Sequence, residues 1–128
     1  MVAEVSGQES RVVVRREGAL GILAAELATP LVMVLTELVQ NALEHAFEPG
    51  RRGEVVLRAE RSAGSLEVTV SDDGRGLPAD FSLARAERLG LQIVRTLVGS
   101  ELRGSLDLQR GQPRGTVAVL SLPLTLRR

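Results

Sequence analysis

One helix with a narrow polar stripe constrains this chain more than any other feature. Thr36 to Phe47 reads as the second half of an amphipathic helix. At 100° per residue, Glu37, Asn41 and Glu44 fall within a polar arc of roughly 60°, with His45 at its edge. Val32, Leu35, Val39, Ala42 and Ala46 gather on the opposite side, flanked by Leu31 and Leu38, as an expected core-facing stripe. The polar stripe offers acceptors with no positive charge nearby, and it includes Asn, a weak helix former. Taken alone, such a stripe reads as a solvated face with an incidental Asn, and only motifs further along the chain give it another use.

The chain around it fits one domain with a real core. It has 128 residues, 44% of them apolar. No apolar run approaches the roughly 18 residues needed to span a bilayer, and no charged-then-apolar leader precedes the domain, so a cytoplasmic protein without direct membrane insertion is expected. Cysteine is absent and His45 is the only histidine, which removes disulfides, thiol nucleophiles and multi-His metal sites. All 16 basic residues are Arg, so neither a Lys Schiff base nor a Walker-type phosphate loop is available. Zero net charge and only two aromatics, Phe47 and Phe81, argue against a nucleic-acid partner.

Residues 1–10 are polar and aperiodic. They are expected to form a tail or linker, such as the cut end of a longer protein leaves, before a domain spanning 11–128. Arg11 to Arg16 reads as a strand, and Leu20, Ile22 and Leu23 as a second short one after Gly18. Thr29-Pro30 is a helix-start signal, placing the organising helix from about Pro30 to about Phe47. Glu48 to Gly53 forms a loop. Two alternating runs, through Val55, Leu57 and Ala59 and through Leu66, Val68 and Val70, predict a hairpin turning at Ala63-Gly64. Its second strand runs into Asp72-Asp73-Gly74-Arg75-Gly76. Ala79 to Leu89 is charged and weakly patterned. Gly90 opens a second helix, Leu91 to about Val98, ended by Gly99. A strand through Leu106 and Leu108, a turn at Gly111 to Gly115 and a strand from Thr116 to Leu122 complete the chain. Strands interleaved with helices, partly joined by hairpins, predict an α+β fold, a two-layer sandwich with a mixed sheet.

Taken singly, these motifs are ordinary turn and boundary chemistry, yet each also offers a contact to a nucleotide. An Asp at a strand end, Asp72, can accept a hydrogen bond from an exocyclic amine and so select adenine. Gly74 and Gly76 permit close approach of backbone to a ligand. Gly90 exposes the free N–H groups of a helix start to phosphate. The Thr116 hydroxyl can support a ring held by Asp72. Asn41 offers an oxygen to Mg²⁺, and Glu37, one turn earlier, can orient or deprotonate a nucleophile. Arg75, Arg85 and Arg88 flank the glycines and can neutralise phosphate. For His45, a helix-end residue satisfied by a backbone carbonyl is the preferred reading.

In this order the motifs resemble those of the GHKL ATPase superfamily. Glu37 to Ala46 looks like its N box, Asp72 to Gly76 like its first glycine box, Leu89 to Val94 like the second, and Gly115-Thr116 like the last. Within the superfamily, Ala28-Thr29-Pro30-Leu31 and the run Leu89 to Val98 are similar to the catalytic domains of two-component sensor histidine kinases, more narrowly the HWE-related group.

The resemblance implies a Bergerat-type sandwich binding ATP and Mg²⁺ under a lid, Ala79 to Leu89. It implies nucleotide contacts from Asn41, His45, Asp72, Gly74, Gly76, Arg88, Leu89, Gly90, Leu91 and Thr116, with Asn41 on the metal and Glu37 catalytic. The implied reaction moves the γ-phosphoryl group of ATP to a His on a separate dimerisation domain, with a response regulator downstream. Arg88 stands where a further Gly is usual, and a side-chain contact is its expected substitute. Glu44 stands where many histidine kinases carry Lys or Arg. The alternatives are an anti-sigma factor serine kinase of the same superfamily and an ATP-binding module without transfer. Thr29-Pro30-Leu31 and the second glycine box favour the kinase.

Overall fold

The structure, a computed structural model, describes residues 2–4, 11–47, 50, 52–77 and 89–124. Six strands form one mixed sheet in the order β1-β2-β3-β4-β6-β5. They are β1 (Val2–Glu4), β2 (Arg11–Glu17), β3 (Arg52–Ser62), β4 (Ser65–Asp72), β5 (Ser105–Arg110) and β6 (Thr116–Pro123). The pair β2–β3 is parallel, because α1 (Ala25–His45) crosses over between them, and the other pairs are antiparallel. Helix α2 (Leu89–Thr96) runs on into a π-helical turn, Leu97–Glu101, beside α1. The α+β sandwich with a mixed sheet is therefore the observed architecture.

The core lies between the helices and one sheet face. Val55, Leu66, Val68, Val70, Leu120 and Leu122 alternate inward from the strands, as the period of two requires. Leu27, Leu31, Val34, Leu35, Leu38 and Ala42 meet them from α1, and Leu91 and Val94 from α2.

Local expectations needed correction in five places. The organising helix starts at Ala25, more than a turn before Pro30, with Ala24 as an N-cap that makes no side-chain bond. Pro30 lacks an N–H but sits buried in the second turn, where Leu27 and Leu31 bury their side chains on either side of it and hold the helix through it. The stripe that packs on the sheet runs through Leu27, Leu31, Val34 and Leu38, leaving Val32 56% exposed rather than inside. Leu20 to Leu23 forms no strand. Gly18 and Gly21 adopt positive φ, and the Leu20 and Ile22 carbonyls accept from the Arg61 guanidinium, 3.0 Å each, instead of from a ladder. Gly99 does not end the second helix. It lies inside the π turn, which closes only where the Leu102 N–H bonds to the Leu97 carbonyl at 2.9 Å. Finally, part of the expected tail is structured: Val2–Glu4 pairs antiparallel with β2 as the edge strand of the sheet.

Candidate functional site

At one end of the sandwich, α1, the segment after β4, α2 and the β5–β6 hairpin surround a cavity of about 370 Å³, in the size range of small-molecule sites. Leu38, Ala42, Val70, Leu91, Leu108 and Ala118 give it apolar walls, and Asn41, Glu44, His45, Asp72, Arg75 and Thr116 supply its polar groups. A second depression of about 380 Å³, along Leu35, Thr36, Val39, Gln40, Leu43 and Leu57, holds no ionisable group.

Asp72 is the best-determined polar group in the cavity. It ends β4 directly opposite Thr116, the first residue of β6. Its Oδ1 accepts the Gly74 N–H at 2.9 Å, and the backbone N–H of Thr116 also donates to the carboxylate. Burial pushes its pKa above the ordinary carboxylate value, the two N–H donors pull it back, and the neighbouring Asp73 charge pushes it further up. Asp73 itself is turned away: its Oδ1 accepts the Glu54 N–H on β3 at 2.9 Å. Of the two adjacent aspartates, only Asp72 lines the cavity.

The glycine segment after Asp72 is held from several sides. The Arg75 N–H bonds to the Ala46 carbonyl at the end of α1, 2.8 Å. Gly74 fits there because a Cβ would lie 2.2 Å from that same carbonyl oxygen. Arg114 Nε donates to the Gly74 carbonyl and Arg110 Nη1 to the Leu77 carbonyl, each at 2.9 Å. Gly115 packs onto β4 so closely that a Cβ would stand 1.9 Å from the Asp72 carbonyl oxygen, and its φ of +94° is one that L side chains rarely adopt.

The expected site residues thus fall into groups. Asn41, His45, Asp72, Gly76, Leu91 and Thr116 line one cavity. Gly74 shapes it from behind. Glu37 lies beside the cavity rather than in its lining: its carboxylate packs on Gly90 in the first turn of α2, where a Cβ would meet Glu37 Oε2 at 2.1 Å. Leu89 opens α2 largely exposed. His45 is exposed, with Nε2 3.7 Å from Glu44 Oε1, instead of bonding a backbone carbonyl. Arg88, and the expected lid apart from Leu89, lie outside the described residues. Sequence reasoning missed Glu44 as a wall residue, although its place three residues after Asn41 puts it on the same helix face. It also missed Arg110, at the end of β5, and Arg114, in the turn that follows, because an arginine at a strand end or in a turn carries no signal.

Residues 26–126 match the family of histidine kinase-, DNA gyrase B-, and HSP90-like ATPases. The sensor histidine kinase PdtaS of Mycobacterium tuberculosis is 52% identical over 97% of this chain and 25% of that protein. Blue-light-activated histidine kinase 2 of Erythrobacter litoralis is 40% identical over 78% of this chain and 29% of that protein. The solved histidine kinase domain of a blue-light-activated kinase from the same species superposes with a TM-score of 0.79 at 36% identity, over 89% of this chain and 55% of that one. The chain spans about a quarter of the length of the first two.

Proposed function

The chain belongs to the family of histidine kinase-, DNA gyrase B-, and HSP90-like ATPases, and from that footing we propose that it is the ATP-binding catalytic domain of a sensor histidine kinase. It transfers the γ-phosphoryl group of ATP to a His on a separate dimerisation domain, from which a response regulator is served. The observation that carries this reading is the cavity itself, which gathers Asn41, Asp72, Gly76, Leu91 and Thr116 from four elements around one ligand-sized space. The relatives' names favour the kinase over the anti-sigma alternative.

In this reading the flat adenine lies between the apolar walls, with its amine donating to Asp72 and its ring supported by Thr116. The polyphosphate runs towards the start of α2, whose first N–H groups have no intrahelical partner and carry the positive end of the helix dipole. Glu37, packed on Gly90, stands where the acceptor imidazole must approach. As the new N–P bond forms and the P–O bond to ADP breaks, the imidazole becomes cationic, and Glu37 stabilises it or takes its proton.

Among the described residues no group of three His, Asp or Glu could enclose a metal ion. The oxygen donors Asn41 and Glu44 fit instead a cation that shares its ligands with the phosphates, as Mg²⁺ does. When bound, Mg²⁺ would neutralise phosphate charge that Arg75, the one arginine lining the cavity among the described residues, only partly offsets. No helix among the described residues is long and apolar enough to cross a membrane, and we place the domain, residues 11–128 with Val2–Glu4 attached, in the cytoplasm where ATP is.

Incubation with γ-labelled ATP and a supplied acceptor domain tests the proposal. Acid-labile label should appear on the acceptor and none on this chain, whose single His lies at the end of α1. Transfer should be slow, since tethering is lost. Acid-stable label on a serine of an antagonist protein, or absence of calorimetric ADP binding, would overturn it.

A further inference from the structure

The nucleotide-facing carboxylate is held by peptides that are themselves held by one turn. Gly74 uses both ends of its backbone: its N–H bonds to Asp72 Oδ1, and its carbonyl accepts Arg114 Nε, both at 2.9 Å. Thr116, whose N–H also donates to Asp72, follows Arg114 by two residues in the same turn. Between them Gly115 presses its backbone onto that of Asp72. The Gly111 N–H closes the turn by bonding to the Gly115 carbonyl at 2.9 Å, and Arg110 reaches the Leu77 carbonyl further along the loop.

The loop is also tied by the Arg75 N–H to the Ala46 carbonyl, by a longer 3.3 Å bond from the Asp73 N–H to the Glu54 carbonyl, by Asp73 Oδ1 accepting the Glu54 N–H, and by Arg75 Nη2 donating to the Phe47 carbonyl at 3.5 Å. None of these is made to the Gly74 carbonyl oxygen, which accepts from Arg114. The Gly74 carbonyl belongs to the Gly74–Arg75 peptide, so Arg114 and the Arg75 N–H together fix the peptide that adjoins, across the Gly74 Cα, the one whose N–H bonds to Asp72. A guanidinium-to-carbonyl bond is charge-assisted and directional, stronger than a neutral one.

We propose that Arg114 is a positioning residue for base selection, orienting Asp72 towards the 6-amino group of adenine by anchoring the backbone of Gly74 on its carbonyl side. This rests on the nucleotide-binding reading above. A merely structural Arg114 would weaken every nucleotide alike when removed. A positioning Arg114 acts on the one contact that distinguishes adenine from a base without the amine.

Calorimetric titration with ADP and with inosine diphosphate, which carries an oxo group in place of the amine, separates the two. The wild-type chain should prefer ADP by about tenfold or more, the consequence of one matched against one mismatched buried hydrogen bond. Arg114→Ala should cut ADP affinity by about threefold to tenfold and leave inosine diphosphate within about twofold, so that the preference shrinks. Arg114→Lys, which keeps the charge and one donor, should recover part of it, and decides the matter if the alanine variant does not fold. In an Asp72→Asn background the Arg114 substitution should no longer alter the ratio of the two affinities.

An unchanged ratio in Arg114→Ala, or a parallel loss of both affinities, overturns the positioning role while leaving the nucleotide site standing. A wild-type chain that binds neither nucleotide, or binds both equally, removes Asp72 as the adenine acceptor and this inference with it.

Discussion

The two ends of the cavity are built on different plans. At the Asp72 end, strand register sets the geometry. Asp72 faces Thr116 across the β4–β6 ladder, accepts two backbone N–H bonds, and is backed by Gly115 with no space between. At the Asn41 end, helices set it. Glu37 meets the start of α2 only through a flexible carboxylate, and Glu44 and His45 are exposed. The first plan suits recognition of a rigid, uncharged base, where an acceptor displaced by a fraction of an ångström loses its bond. The second suits a polyphosphate and an incoming partner, where charge acts over a longer range and the reacting groups must be reachable.

The sharpest way to break this contrast is Glu37→Gln. If the helical end serves transfer and the sheet end serves binding, the rate of transfer to an acceptor domain should fall by about 10²–10⁴-fold with ADP affinity intact. Single-turnover labelling and calorimetry on the same variant decide it, and a parallel loss of binding would merge the two ends into one function.

Glycine substitutions probe the rigidity of each end. Gly115→Ala drives a Cβ into the Asp72 backbone at a φ of +94°, where neither neighbour can yield. It should destabilise the fold by about 2 kcal/mol or more, visible as a lowered Tm. Gly90→Ala also meets an atom too closely, but that atom is Glu37 Oε2, the end of a side chain that can swing away. It should keep its Tm and lose transfer. Equal losses of stability would show the helical end to be as rigid as the sheet end.

Asp72→Asn should weaken ADP binding by about tenfold. It should also stabilise the ligand-free fold at neutral pH. The Asp72 pKa is raised in the folded state, chiefly by burial. Its stabilising contribution is therefore complete below the unfolded value and is lost as pH rises through the folded one, so ionised Asp72 is a cost at pH 7 that the amide lacks. Thermal melts from pH 3 to 8 should show the variant gaining on the wild type as pH rises. A variant less stable at pH 7 would contradict that sign.

The smallest effect is expected from Asn41→Ala. Removing one oxygen from a cation mostly held by phosphate and water should weaken Mg-dependent ATP binding by about threefold to tenfold and leave Mg-free ADP binding unchanged. A loss independent of Mg²⁺ would instead place the Asn41 amide against the nucleotide itself.

Much of this was legible in the residues. The hairpin β3–β4 follows from two alternating runs around Ala63-Gly64, and the helical spacing of Glu37 and Asn41 puts them on one face wherever the helix packs. Asp72 at the end of a strand, followed by Gly74 and Gly76, marks a place where a backbone can approach a ligand. These are local facts, carried by periods of 2 and 3.6 and by the conformational habits of glycine. The resemblance added what they serve. Three things were settled only when the elements packed. One is the rotation of α1 that exposes Val32 and buries Leu27, since a period gives the width of an apolar stripe but not which edge meets the sheet. Another is the packing of Glu37 on Gly90, which depends on how α2 lies against α1. The last is the hold of Arg114 on Gly74, a bond between segments brought together by the β4–β6 ladder. Side-chain pattern records what a residue prefers to be near, while long-range pairing is chosen by the burial of the whole core, and no single stretch of chain contains that sum.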